Sequence, residues 1–284
     1  PTKNLWYLLI AGASVYAALS YGSIVPAVRA WHDERQSDTK RAIISQVPAG
    51  VPVAATFELL PALSSRSSIY SFHYAVIGKN QFATSDYDLP ADTQFLAIDW
   101  QDLLKVEMHF KDHYNFGPFA TGVPERLQKI LNSFSIIDAS GSLMLMHRTS
   151  SASYTVPLTL TDNVISRQDI TDPVLSETSP LDGGTLLTWS LPGNDDNKNH
   201  YYIEIKTVYR TFLIPFGYGR TTPATWGDAT TLSMPVYLND DESEITNTLY
   251  RWTKGFLKMG ELKNLTMQSD AQVVNSKVIS RDIP

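Results

Sequence analysis

Leu5–Val25, LWYLLIAGASVYAALSYGSIV, carries no charged residue. At about 1.5 Å of rise per residue, a helix of this length would cross the roughly 30 Å hydrocarbon core of a bilayer. Trp6, Tyr7 and Tyr21 lie near its ends, where amphipathic rings favour the membrane interface. Residues 1–26 are therefore expected to form a transmembrane helix, with the lipid bilayer as a partner. Two other readings compete with it. Lys3 and the AALS stretch imitate a secretory signal peptide, and a helix buried inside a folded protein would have the same composition. Arg29, Arg35, Lys40 and Arg41 follow the run while only Lys3 precedes it, so the local count of basic residues places the C-terminal side in the cytoplasm.

The chain as a whole has the composition of folded protein. Of 284 residues, 43% are hydrophobic and the formal net charge is -6. Without a basic surplus to meet phosphates, nucleic acid is not an expected partner. The chain has no cysteine, which rules out disulfides, thiolate metal sites and cysteine nucleophiles.

Two rhythms follow the apolar run. Ala27 to Val47 reads as a helix that Pro48 and Gly50 stop. PVAAT reads as a strand, FELLPALSS as a short helix with an internal proline, and SIYSF as a second strand. TQFLAIDW is an apolar strand of the kind that helices bury on both faces. Helical segments near Asp102–Lys111 and Pro124–Leu131 precede a hairpin turning near Ala139–Gly141. Strands alternating with helices predict a small three-layer α/β domain over residues 27–150. Beyond Ser150 the runs are short, β-rich and separated by Gly, Asn, Asp and Pro, which predicts an antiparallel, jelly-roll-like β-sandwich over residues 151–284. Asp169–Gly184 reads as a surface loop. The fold class expected is thus α+β multidomain with an N-terminal transmembrane helix.

Few residues point to chemistry. Asp99 ends the apolar strand, where α/β folds place functional groups, although a hydrogen bond to the next turn is the plainer explanation. His109 and His113, four apart on a helix near Glu107 and Asp112, could face one metal ion. They lack the glutamate that directly follows the first histidine in a zinc hydrolase helix. Asp86 and Asp88 could share acid–base work or supply oxygen ligands. GNDDNKN and LNDDESE are oxygen-rich but do not spell a helix-loop-helix calcium loop. Neither a dinucleotide fingerprint, nor a phosphate loop, nor a Gly-x-Ser-x-Gly elbow occurs. Trp226 offers a broad face for a sugar or peptide, or a core contact. Asn264-Leu265-Thr266 spells a glycosylation sequon.

One segment resembles a known family. RAIISQVPAGVPVAATFELLPALSSRSSIYSF, then SDYDLPADTQFLAIDW and GSLMLMHR, is similar to the extracytoplasmic C-terminal part of the predicted membrane proteins catalogued as domain of unknown function 2079. Ala62 stands at that family's usual histidine place and His73 at its usual proline place. The later half, with Tyr202, Ile203, Ile205, Phe212, Ile214–Gly219, Pro223, Trp226 and Gly227, resembles a sandwich appended to some such proteins.

The resemblance implies a multispanning, fold-class C glycosyltransferase-like membrane protein that uses a polyprenyl-phosphate sugar donor and a divalent metal as cofactors. Residues after about 26 would lie on the extracytoplasmic side of the cell membrane, overriding the basic-residue count, with an upstream membrane domain or another membrane subunit as partner. No catalytic or metal-binding residue would lie in this chain. Arg66 and Tyr70 are the candidate contacts to phosphate or sugar on a rim over the membrane-side cavity, with Trp226 as a third, although an ordinary ion pair for Arg66 and a core contact for Tyr70 are the plainer readings. The alternative is a surface or structural protein anchored by one helix that holds glycan or another protein.

Overall fold

The computed structural model describes residues 34–80, 85–105, 123–149, 159–161, 171–192, 200–221, 226, 229, 231–239, 242–252 and 271–280. Residues 1–42 and 43–284 form two compact units. Of the first, the described part is the opening of α1 (Glu34–Ser45), where Arg41 Nη1 donates to Asp38 at 3.2 Å.

In the second unit, period-two alternation builds the first sheet. Strands β1 (Val53–Ala55), β2 (Ile69–Ser71), β3 (Phe95–Asp99), β4 (Phe134–Ser140) and β5 (Leu143–Arg148) lie in the order β2-β1-β3-β5-β4. Strands β1, β2 and β3 run parallel, and β5 and β4 close the sheet antiparallel. Val53, Ala55, Phe95, Ala97, Leu143 and Leu145 face one side, against Leu59, Leu63, Ile43 and Val47. Ala54, Leu96, Ile98, Met144 and Met146 face the other, against Phe72 and Val76 of α3 (Phe72–Ile77) and Leu127 and Leu131 of α4 (Val123–Leu131). Because both faces are covered, β3 is buried at every position. The short helix α2 (Leu60–Leu63) carries Pro61 in its first turn, where the missing N–H costs no helix bond. Ser71 caps α3 by accepting from Tyr74 N, and Gly78 ends it in the left-handed region at φ 80°.

The later strands make two antiparallel four-stranded sheets. One has the order β10 (Thr211–Pro215), β9 (His200–Lys206), β12 (Glu244–Trp252), β13 (Ala271–Ser280). The other has the order β6 (Thr159–Thr161), β11 (Thr231–Tyr237), β8 (Gly184–Ser190), β7 (Val174–Leu181). A 3-10 turn at Phe216–Gly219 follows β10, with Gly217, Tyr218 and Gly219 all at positive φ. Tyr218 tolerates this because it is buried and its hydroxyl donates to Pro235 O at 2.7 Å.

These findings correct the expected fold class. The later half is not a closed jelly roll standing beside a separate α/β domain: residues 43–284 are one mixed α+β unit. The physical reason is a continuous core. Trp100 and Leu103, which follow β3, belong to the same buried cluster as Tyr218, Phe216 and Trp189, and the Trp100 and Tyr218 rings meet at 5.1 Å. Polar ties join the same regions: Leu213 N donates to Gln101 Oε1 at 3.2 Å and Gly141 N to Tyr237 O at 2.9 Å. The expected loop at Asp169–Gly184 contains β7. Its mostly exposed or half-buried positions and Pro180 suit an edge strand.

The membrane reading is corrected as well. Among the described residues no helix is long and apolar enough to cross a membrane, and α1 carries charge along its length. Leu5–Val25 lies outside the described residues. Nothing here therefore supports the transmembrane anchor, a lipid-bilayer or membrane-subunit partner, the cell-membrane localisation with an extracytoplasmic remainder, or the multispanning glycosyltransferase-like function. The single-helix-anchored alternative is not supported either.

Candidate functional site

The chain leaves β1 toward β2 on one side and returns to β3 on the other, so the connections diverge between the carboxyl ends of β1 and β3. In open sheets this divergence opens a crevice where polar groups meet a ligand. Here it gathers Thr56, Phe57 and Glu58 after β1, His73 on the first turn of α3, Asp99 at the end of β3, and Asp102 and Lys105 on the helical residues 100–105. The β4–β5 turn adds Ser142, because antiparallel pairing sets Leu143 beside Asp99.

Each backbone end is tied to a side chain. Asp99 N donates to Thr56 Oγ1 at 3.0 Å, while Asp99 Oδ1 accepts from Ser142 Oγ at 2.8 Å and Gln101 N at 3.1 Å. Glu58 N donates to Asp102 Oδ2 at 2.8 Å, and Phe57 N to His73 Nδ1 at 3.3 Å. The latter bond makes Nδ1 the acceptor and puts the proton of a neutral imidazole on Nε2. The Phe57 ring stacks on His73 at 4.0 Å and 8°. At the rim, Lys105 Nζ pairs with Glu58 Oε1 at 2.7 Å.

Two groups in this cluster hold unusual protonation states. His73 is fully buried, and burial pushes its pKa down to about 3 against the upward pull of the Asp102 backbone and the Glu58 charge. Its Nε2 makes no hydrogen bond, and Asp102 Oδ2 stands 4.0 Å away. Asp102 is 5% exposed; burial first, then the charges of Glu58 and Asp99, raise its pKa to about 7 against the Glu58 N–H bond and Lys105. At neutral pH the site thus holds a neutral imidazole beside a carboxyl group shared between its two protonation states. Among the described residues no group of three or more metal-ligating side chains is assembled.

The residues singled out from sequence go to different places. Asp99 sits in this cluster. Arg66 donates to the carbonyls of Val47, at 2.6 Å, and Pro48. Tyr70 donates to Asp92 Oδ2 at 3.1 Å. Trp226 is 5% exposed and packs against Tyr201 and Phe216. The three have separate partners. Asp86 pairs with Lys79, which lowers its pKa, and Asp88 pairs with Arg126 at 2.6 Å. Glu242 of LNDDESE is buried against Arg210. Glu107, His109, Asp112, His113, the GNDDNKN loop and Asn264 lie outside the described residues. Glu58, Asp102 and Lys105 escaped the sequence reading. The signal that could have found them is position alone, since each follows a parallel strand's carboxyl end.

No family model and no curated protein matches this sequence. The resemblance to domain of unknown function 2079 and its appended sandwich is accordingly withdrawn.

Proposed function

We propose that this chain is a binding protein for a small polar molecule carrying a cationic amine, held at the carboxyl ends of β1 and β3 and exchanging a proton with Asp102. The observation that carries this reading is the buried Asp102 carboxyl at the divergence of the sheet's connections, 4.0 Å from an imidazole Nε2 that has no hydrogen bond; burial there raises the Asp102 pKa to about 7. Asp102, Glu58 and Asp99 outnumber Lys105, the cation that acts on Asp102. A second cation would relieve their mutual repulsion and draw the Asp102 proton off, because an opposite charge nearby favours the ionised carboxylate. His73 Nε2 is left to donate to a hydroxyl or carbonyl on the same molecule.

Ethanolamine is the simplest probe with both groups. Titration calorimetry near neutral pH in PIPES and in MOPS is expected to show saturable binding with release of a fraction of a proton, drawn from the protonated part of Asp102. Asp102→Asn should abolish the buffer dependence. Absence of saturable binding, or the same heat in both buffers for the unaltered protein, would refute the reading.

A further inference from the structure

The β4 edge of the same sheet holds an open cleft of about 400 Å³, lined by Arg126, Lys129, Arg148, Ile130, Phe134 and Asp88 among others. Register explains how residues so distant in sequence meet. Phe134 opens β4 and pairs with Arg148 at the end of β5, and Arg148 N donates to Gln94 O just before β3 at 2.7 Å. Helix α4 then lays Arg126 and Lys129 beside this edge.

The cations are fixed differently. The Arg148 guanidinium lies 4.6 Å over the Phe134 ring, and its Nε donates to Thr93 O at 2.5 Å. These contacts leave the terminal nitrogens of a planar fork aimed by stacking rather than by a carboxylate. Arg126 rests against Gly78, where a Cβ would come within 2.8 Å of its guanidinium carbon, and pairs with the exposed Asp88 at 2.6 Å. Lys129 has no carboxylate partner among the described residues. Three cations against one carboxylate leave two positive charges over an apolar floor, in a chain whose net charge is -6.

We infer that this cleft binds the dianionic phosphate monoester of a small organic molecule, with the phosphate between Lys129 and Arg148 and the apolar body on Ile130 and Phe134. A phosphate offers three acceptor oxygens and nearly two charges at neutral pH. Arg matches such an oxygen pair as a fork and Lys as a point charge. This inference is independent of the amine site, which lies at the other end of β3.

Calorimetry with phenyl phosphate tests it, with phenyl sulfate, of the same shape but singly charged, as the comparison. The expected results are saturable phenyl phosphate binding, at least about tenfold weaker phenyl sulfate binding, and at least about tenfold weaker phenyl phosphate binding by Lys129→Gln. Asp88→Asn removes the competing carboxylate from Arg126 and is expected to tighten phenyl phosphate binding several-fold, a gain that misfolding cannot imitate. Both substitutions change exposed side chains. No saturable binding, equal affinity for phosphate and sulfate, unchanged affinity in Lys129→Gln, or no gain in Asp88→Asn would each overturn the assignment.

Discussion

Arg210→Met is expected to destabilise the protein by about 3–5 kcal/mol, read as a lower urea midpoint at unchanged slope. Arg210 donates from Nε and Nη2 to Glu242 at 2.8 and 2.7 Å, and the Glu242 side chain is wholly inaccessible. Burial acts to raise the Glu242 pKa, but Arg210, the Asn239 N–H and the Thr207 hydroxyl together hold it below the usual carboxylate range. Removing the arginine leaves a charge out of water without its counterion, and that deletion costs far more than the pair itself contributes. Replacing both partners, Arg210→Met with Glu242→Leu, should therefore restore most of the loss. The same guanidinium packs on Gly141 in the β4–β5 turn, so the single substitution should also loosen the turn that carries Ser142. A single variant within about 1 kcal/mol of the unaltered protein would show that the pair is not desolvated as described.

The second large effect concerns pH. The folded-state pKa of His73 lies below its unfolded value, at about 3 against 6.5, so the unfolded chain binds more protons in that window. The stability that neutral His73 confers is complete above 6.5 and is lost as pH falls toward 3. Asp102 acts in the opposite sense. Its folded pKa of about 7 exceeds the unfolded 3.8, so its contribution is complete below 3.8 and is lost as pH rises through 7. Between about pH 4 and 6.5 the two slopes offset each other. Asp102→Asn keeps the acceptor for the Glu58 N–H, removes one slope and leaves the other. The stability of the variant relative to the unaltered protein is expected to drop by roughly 3 kcal/mol from about pH 6.5 to about pH 4.5, at about 1.4 kcal/mol per unit. Comparing the two proteins at each pH cancels the titrating groups that do not interact with Asp102. Parallel profiles in denaturant titrations at the two pH values would remove the argument for a protonated Asp102.

Much of the sheet architecture could be read because apolar periodicity is a local property. FLAID is apolar at four of its five positions and buried at all of them, and VAA and LMLMHR pair with it as strands. The HYAVIG stretch after β2 carries no helical periodicity, yet Ser71 and Gly78 bracket α3 as N-cap and left-handed C-cap. The helix is too short for periodicity to mark it. SETSPL looked like a loop because an edge strand exposes polar side chains and tolerates proline. The unity of residues 43–284 was invisible because it rests on long-range contacts such as Trp100 with Tyr218.

The site was legible at one residue. Asp99 stood out because it ends an apolar strand. Glu58, His73 and Asp102 are ordinary polar residues until the parallel pairing of β1 and β3 brings them together. The cleft at the β4 edge has a similar origin: Asp88, Arg126, Lys129 and Arg148 share no motif and meet only where the β4–β5 register, helix α4 and the Asp88–Arg126 pair bring them together.

The central claim is that Asp102 holds a proton near neutrality at the carboxyl end of β3. Carbon-13 NMR of the aspartate carboxyls across pH, with the Asp102 resonance assigned by its loss in Asp102→Asn, measures this directly. A midpoint near 7 is the expected result; a midpoint near the ordinary aspartate value of about 4 would contradict the account.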